Sequence, residues 1–448
     1  MESALKQYLD LFKKHSDLVV SHAPEAMNSL RERAFEALER NGLPKKGTEN
    51  YEVTDLQEFL APDYGLNINR IPLDVNPSAS FRCGVPHLSS ALFFLINDSF
   101  AESAALRKIL PEGVIVGSLA KYLLQGEGID CYGTLADMGN PVVALNSLLV
   151  QDGVFIRIKK GVILEKPLQL VNILQNTMPL MAVRRVLIIV EDNAQARLLV
   201  CDHTQNPDVD LMSLQVVEAV VGDGASLDIY DLEESSERTS RLSALYLRQG
   251  RGSNVLIDGM TLFNGKTRNE YHTVFGGEHA ELKLLGMGVE NNSSLLSNFS
   301  NIDHAVGNCH TDELFKYVVD DEAKGAFVGK IYVAPGAVKT EAYQNNRNMV
   351  CSSSARMFSK PQLEIYNDDV KCSHGSATGQ LDPMQLFYMR SRGLSEEESL
   401  LLLKQAFMSD VIDGIRIPML RDRLVSILER RFTGENVMCE DCDICNPS

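Results

Sequence analysis

The chain has 448 residues, more than one hydrophobic core usually organises, so two or three regions or one long solenoid are expected. Hydrophobic residues make up 44% and charged residues 23%, an ordinary balance that excludes wholesale disorder. A formal charge of −17 argues against nucleic acid or an anionic membrane as partner, since both are held by clustered Lys and Arg.

No stretch approaches the roughly 18 apolar residues of a membrane span. Residues 1–20 carry charges where a signal peptide would need an apolar core, so a cytoplasmic location is expected. Nine cysteines, an odd number, do not form a secreted disulfide framework, and reduced thiols are expected.

In chain order, Met27, Leu30, Ala34, Phe35 and Leu38 recur at helical spacing behind Pro24, and Asn41-Gly42 is a stop signal. The rest of residues 1–140 mixes Pro, Gly and short apolar runs, and is read only as an N-terminal helical and lead-in region. Residues 141–374 form the expected β core: short runs of Val, Ile, Leu and Tyr are punctuated by Gly, Asn and Asp. Runs beginning at Ala196, Ser226, Ser253 and Ala280 lie about 26 to 30 residues apart, the spacing of a coiled repeat. A sandwich or barrel would also give short strands, but stacked coils can lengthen indefinitely because each buries its apolar side against its neighbours. The pattern therefore favours a parallel β-helix.

Residues 375–448 turn helical again. Asp382-Pro383 reads as an N-cap and a first helical residue, Gly393 as a stop, and Ser395-Glu396-Glu397-Glu398 as a capping box. A leucine-rich helix through residues 400–403 and Phe407 follows, then another from near Pro418.

Chemistry concentrates where the β core meets these helices. Cys372 and His374 are two residues apart, so an extended strand would put both on one face. Thiolate and neutral imidazole both suit soft or borderline metals. By spacing alone, a buried Cys beside an ordinary polar His remains the plainer reading. His304 and His310 with Cys309 and Asp303, and His272 with His279, read as solvated turn residues in preference to ligands. Cys439, Cys442 and Cys445 have Cys-x2-Cys-x2-Cys spacing, three thiolates of a four-thiolate cluster run, and could hold iron, a cluster or zinc, or simply end a frayed tail. There is no phosphate-binding loop, so no ATP site of its own is expected; Gly222-Asp223-Gly224 and Gly250-Arg251-Gly252 read as turns.

Asp369-Val370-Lys371-Cys372-Ser373-His374-Gly375, then Gly379-Gln380-Leu381-Asp382, then residues 386–394 together resemble the signature of the SufB/SufD family. The opening motif Gly42-Leu43-Pro44 with Glu49, Tyr51 and Thr54 is similar to that family's, although the Trp usual near Tyr51 is missing. His374-Gly375, where SufB tends to carry His-Glu-Ala, points to the SufD side of the family.

The resemblance implies a right-handed parallel β-helix with α-helical regions at both ends, a non-catalytic scaffold for iron–sulfur cluster assembly. Its implied partners are SufB, paired through the β-helices, and the ATPase SufC, held by the C-terminal helices; a homodimer in isolation is plausible. Carried over, Cys372 and His374 meet a transient iron or Fe–S cluster at the SufB interface. Leu386, Phe387, Tyr388, Arg392, Leu401 and Phe407 fall in the SufC-binding region. The competing readings are SufB itself and a β-helical carbohydrate-active enzyme with carboxylate acid/base groups.

Overall fold

The computed structural model describes residues 4–71, 91–101 and 110–433. Cys83, Cys439, Cys442 and Cys445 lie outside these residues, and with them the expected tail site.

Sixteen strands, β4 (Gly153–Ile158) to β19 (Lys371–Gly379), alternate between two parallel sheets, even-numbered strands in one and odd-numbered in the other. They form a β-solenoid of about eight coils with helices at both ends. The coil period varies from 26 residues, Ser240 to Lys266, to 32, Lys324 to Arg356.

The repeat is marked less by side chains in the strands than by the corner between the sheets. Asn193, Gly224, Gly252, His279, Asn308 and Lys339 occupy equivalent corners of six coils, all with φ between 55° and 65°. Gly and Asn tolerate this left-handed conformation, which turns the chain within a few residues. Backbone bonds then join corner to corner, such as Asn193 N to Asp223 O at 2.8 Å and Gly224 N to Arg251 O at 2.8 Å.

Between the sheets lies a continuous apolar interior running from Ala91 through Ile188, Ile229, Leu282 and Phe315 to Ala355. The lead-in contributes to it: β1 (Ala91–Ile96) extends the odd sheet parallel to β5 (Leu168–Leu174), while β3 (Val114–Ser118) runs antiparallel to β4. The two-residue β2 (Ser99–Phe100) folds back antiparallel on β1. The N-terminal end is thus closed by reversed strands.

Helices cover both outer faces. On the even sheet lie α1 (Ala4–Ser21), α2 (Glu25–Asn28), α3 (Arg31–Asn41), α4 (Leu56–Phe59), α5 (Leu119–Leu124) and α6 (Pro141–Leu149). Their apolar sides meet Met181, Leu187, Leu214 and Leu242. The helix expected over residues 24–40 is two pieces, α2 and α3, broken at Ser29-Leu30. Buried Arg31 joins α3 to α6 by donating to Leu148 O at 2.6 Å and Val150 O at 2.7 Å, placing a cation at the negative end of α6. Tyr51 of the opening motif donates to Glu270 at 3.0 Å and lies under the Arg268 guanidinium, 3.9 Å from the ring centroid.

A buried ion pair fastens this layer: Arg185 Nη2 lies 2.6 Å from Glu218 Oε2, both side chains at most 1% exposed. Glu218 also accepts from the backbone N–H groups of Gly133, Leu135 and Ala136 at 2.9 to 3.1 Å. Burial pushes the Glu218 carboxyl up, but Arg185 and these amides outweigh it and hold the group below its ordinary value.

On the odd sheet lie α8 (Glu396–Asp413) and α9 (Pro418–Thr433), packed through Met408, Val411, Leu420 and Leu424 against Tyr230, Leu256, Met260 and Met287. The α8–α9 loop comes so close that a Cβ on Gly414 would lie 2.3 Å from Leu285 Cδ1. Arg416 completes the attachment by donating its N–H to Tyr230 Oη at 2.9 Å and its guanidinium to Asp228 at 2.8 Å. The expected caps are present: Asp382 accepts from Met384 N at 2.9 Å, and Ser395 with Glu398 forms the reciprocal box.

Under these helices sits Asp258 of β11 (Asn254–Phe263), completely buried, with no hydrogen-bond partner on either carboxylate oxygen. Burial pushes its carboxyl up to about 8, with Lys283 opposing. The folded state therefore holds a proton that the unfolded chain releases near pH 3.9. The linked stability is complete below that pH and is lost as pH rises through about 8. Asp258→Asn should flatten this slope, adding about 1.4 kcal/mol or more at pH 9 and nothing at pH 4, read from urea midpoints at the two pH values.

Candidate functional site

Burial fades towards the C-terminal end of the solenoid. In β17 (Glu341–Val350) alternate side chains are still buried, whereas β18 (Arg356–Ile365) and β19 have no buried residue. Among the described residues these two strands are the last of their sheets, each paired on one side only. Pro361 lies inside β18, which suits an edge strand because proline offers no N–H to a ladder.

Cys372 and His374 lie on β19, in register with Ala342 and Gln344 of β17. Ala342 is part of the buried interior and Gln344 is fully buried, so both candidates are on the inward-facing row of their strand. Their surroundings differ. Cys372 is half-buried against the apolar interior, and burial pushes its thiol up, only partly offset by the Ala342 backbone bond. His374 is exposed at the open end. They supply two donors of metal-binding type, and among the described residues no group of three His, Cys, Asp or Glu is placed to hold a metal ion. Any cluster here takes its remaining ligands from elsewhere.

Of the histidines read as turn residues, His279 does occupy a coil corner and is exposed, whereas His304, His310 and His272 lie on strands. His304 is fully buried inside the solenoid, 2.9 Å from Thr311 Oγ1 and stacked on Phe275, and burial lowers its pKa to about 3. Cys309 is buried as well. His272 lies on β12 (Lys266–Phe275), its ring stacked on Tyr246 at 4.4 Å and its Nε2 3.3 Å from Glu270.

Sequence reading also missed the side chains behind His374. Glu313 of β15 (His310–Val319) and Gln344 are fully buried and bonded, Gln344 Nε2 donating to Glu313 Oε2 at 2.7 Å. Burial pushes Glu313 up to about 7. The available signal was the alternation Gln344, Asn346, Asn348 on a strand whose alternate positions face the core.

A second surface lies beyond the open end. Helix α7 (Pro383–Ser391) has no buried residue and exposes Met384, Phe387 and Tyr388, the last two at 68% and 58%. Arg392 stacks over Tyr388 at 5.1 Å, and Leu386 is half-buried. Leu402 of α8 is exposed and Leu401 half-buried. Phe407 stands apart from this group, because it packs towards the solenoid with the Lys316 ammonium 5.0 Å from its ring centroid. No helix among the described residues is long and apolar enough to cross a membrane.

Two family models match the chain: the SufBD protein N-terminal region over residues 2–170, and the SufBD core domain of the SUF system for FeS cluster assembly over residues 173–407. An iron–sulfur cluster assembly SufBD family protein of Synechocystis is 29% identical over 406 residues, 88% of either chain. The iron–sulfur cluster assembly protein SufD of Bacillus subtilis is 28% identical over 299 residues, 65% of this chain and 66% of that one. SufD of Escherichia coli is 32% identical over 167 residues, 37% of this chain and 40% of that one. With the core model spanning the solenoid from β5 to α8 and the other model the region before it, the chain belongs to the SufBD family of iron–sulfur cluster assembly proteins and is of the SufD type.

Proposed function

We propose that this chain is a non-catalytic scaffold subunit in the cytoplasm, joined to SufB through the open end of the solenoid and to the ATPase SufC through its C-terminal helices. The observation that carries the reading is the coincidence of Cys372 and His374 with strands that have a free edge. A free edge presents unpaired N–H and C=O groups, the usual means by which a second sheet is added. Pairing there would bring a partner's thiolates or carboxylates to an imidazole and a thiol that are otherwise two donors short of an iron site. In isolation the same edge is open to a second copy of the chain.

The exposed aromatic side chains of α7 are the proposed SufC contact, since exposed apolar clusters on short helices are typical docking surfaces. ATP-driven movement of SufC would act on the joint only if contacts differ between its two states. Phe387→Ser with Tyr388→Ser should weaken SufC binding about 30-fold or more, as read by titration calorimetry, with the circular dichroism spectrum unchanged. Unaltered affinity would place SufC elsewhere. Cutting the chain after Asp382 is a poorer test, because it uncovers Leu256, Met260, Met287 and their neighbours beneath α8 and α9.

The test of the whole reading is co-purification with SufB and SufC from the same organism, followed by anaerobic reconstitution. A complex that acquires iron and sulfide supports the scaffold role; failure to form any complex rejects it.

A further inference from the structure

One inward row of the odd sheet changes character as it nears the open end. The register runs from Ile257 to Leu284, Glu313, Gln344 and finally His374, one residue per coil. A polar side chain in a buried row is costly unless it is paired, so the pairing shows what the row is built to hold.

Gln344 turns its Nε2 back to Glu313 Oε2, at 2.7 Å. An amide carries its donor and acceptor on opposite sides, so Oε1 is directed away from Glu313. That oxygen is buried and has no hydrogen-bond partner within the chain. The facing sheet is shaped around this pose: a Cβ on Gly329 of β16 (Lys324–Val333) would lie 2.4 Å from Gln344 Nε2. Any larger residue at Gly329 would displace the amide. The next position in the row is His374, about 4.8 Å away along the ladder and exposed. Its ring offers the N–H that Gln344 Oε1 lacks.

We propose that Gln344 and Glu313 are positioning residues for His374. Gln344 Oε1 accepts the N–H of the inward ring nitrogen and so fixes the tautomer. The other ring nitrogen then presents its lone pair outward, to the joint where the cluster is proposed to form. Glu313 acts one step further back, by holding the amide in the orientation that leaves Oε1 available. A ligating histidine characteristically gives its second N–H to such an acceptor, and removing the acceptor lowers metal affinity 10- to 100-fold. The inference rests on the proposed role of His374 as an iron ligand.

The experiment uses the full chain with 15N-labelled histidine, with the His374 ring resonances identified by their disappearance in His374→Gln. In alkaline buffer the wild type is expected to show one protonated and one bare ring nitrogen. In Gln344→Met, which keeps length and removes the acceptor, the two signals should collapse towards an average. Glu313→Leu should do the same, while Glu313→Gln, which retains an acceptor for Gln344 Nε2, should keep the single tautomer. In the complex with SufB, Fe(II) affinity should fall about tenfold or more in Gln344→Met and remain within about twofold in Glu313→Gln.

Averaged tautomers in the wild type, or a single tautomer that survives Gln344→Met, would overturn the positioning role. If Glu313→Leu fails to fold, Gln344→Met and Glu313→Gln still decide the matter. A fixed tautomer with no loss of iron in His374→Ala would instead overturn the iron-ligand reading, and with it the purpose assigned to the row.

Discussion

Replacing His374 by alanine is expected to cut the cluster content of the reconstituted complex about a hundredfold, the upper end of what losing a mere supporting residue does. The side chain is exposed and its strand has no buried residue, so folding should be spared; surface changes of this kind usually stay within about 0.5 kcal/mol. Partner binding should also persist, because an added strand is held by backbone bonds that the substitution leaves alone. Cys372→Ala should reduce the cluster less, since Cys372 packs against the interior whereas His374 stands at the open end. Iron and sulfide counted per complex after anaerobic reconstitution decide the order. Equal losses, or a larger one at Cys372, would reverse the assignment.

Glu218→Ala should have the largest effect on stability, about 3–5 kcal/mol. The substitution leaves the Arg185 guanidinium buried without its counter-charge and three backbone N–H groups without their acceptor. Replacing both members, Arg185→Leu with Glu218→Leu, should recover much of the loss, because a buried pair exchanged for apolar side chains is often neutral. The chain contains no Trp, so far-ultraviolet circular dichroism during urea unfolding is the suitable measurement. The pH dependence has a definite sign. Glu218 has a depressed folded pKa, so its contribution is present above its unfolded value near 4.3 and is lost as pH falls through the folded one. A single Glu218→Ala chain as stable as the wild type would show that the N-terminal layer is fastened by its apolar contacts alone.

Much of this architecture was legible because its signals are local. The Asp382 and Ser395 caps act within three residues, and the corners announce themselves as Asn or Gly in a left-handed conformation. The lead-in was not legible, because β1 and β3 acquire their meaning only from pairing with β5 and β4, more than thirty residues onward in the sequence. His279 and Lys339 take corner positions that composition would give to Asn or Gly, which blurs the repeat. Cys372 and His374 stood out through a motif, but the depth behind them did not. Glu313 and Gln344 are 31 residues apart in sequence and meet only because the coil period brings them to one rung.

The two ends of the solenoid are not equivalent, and that bears on what could be added to it. Among the described residues, the sheets finish at the N-terminal end on β2, two residues long, and on β3, five residues long, both reversed in direction. At the C-terminal end they finish on nine- and ten-residue strands with open edges. Head-to-tail stacking would need two matching edges per molecule, and the described residues offer one. An open edge at one end only would favour the addition of a single partner over the open-ended stacking that a uniform β-solenoid permits.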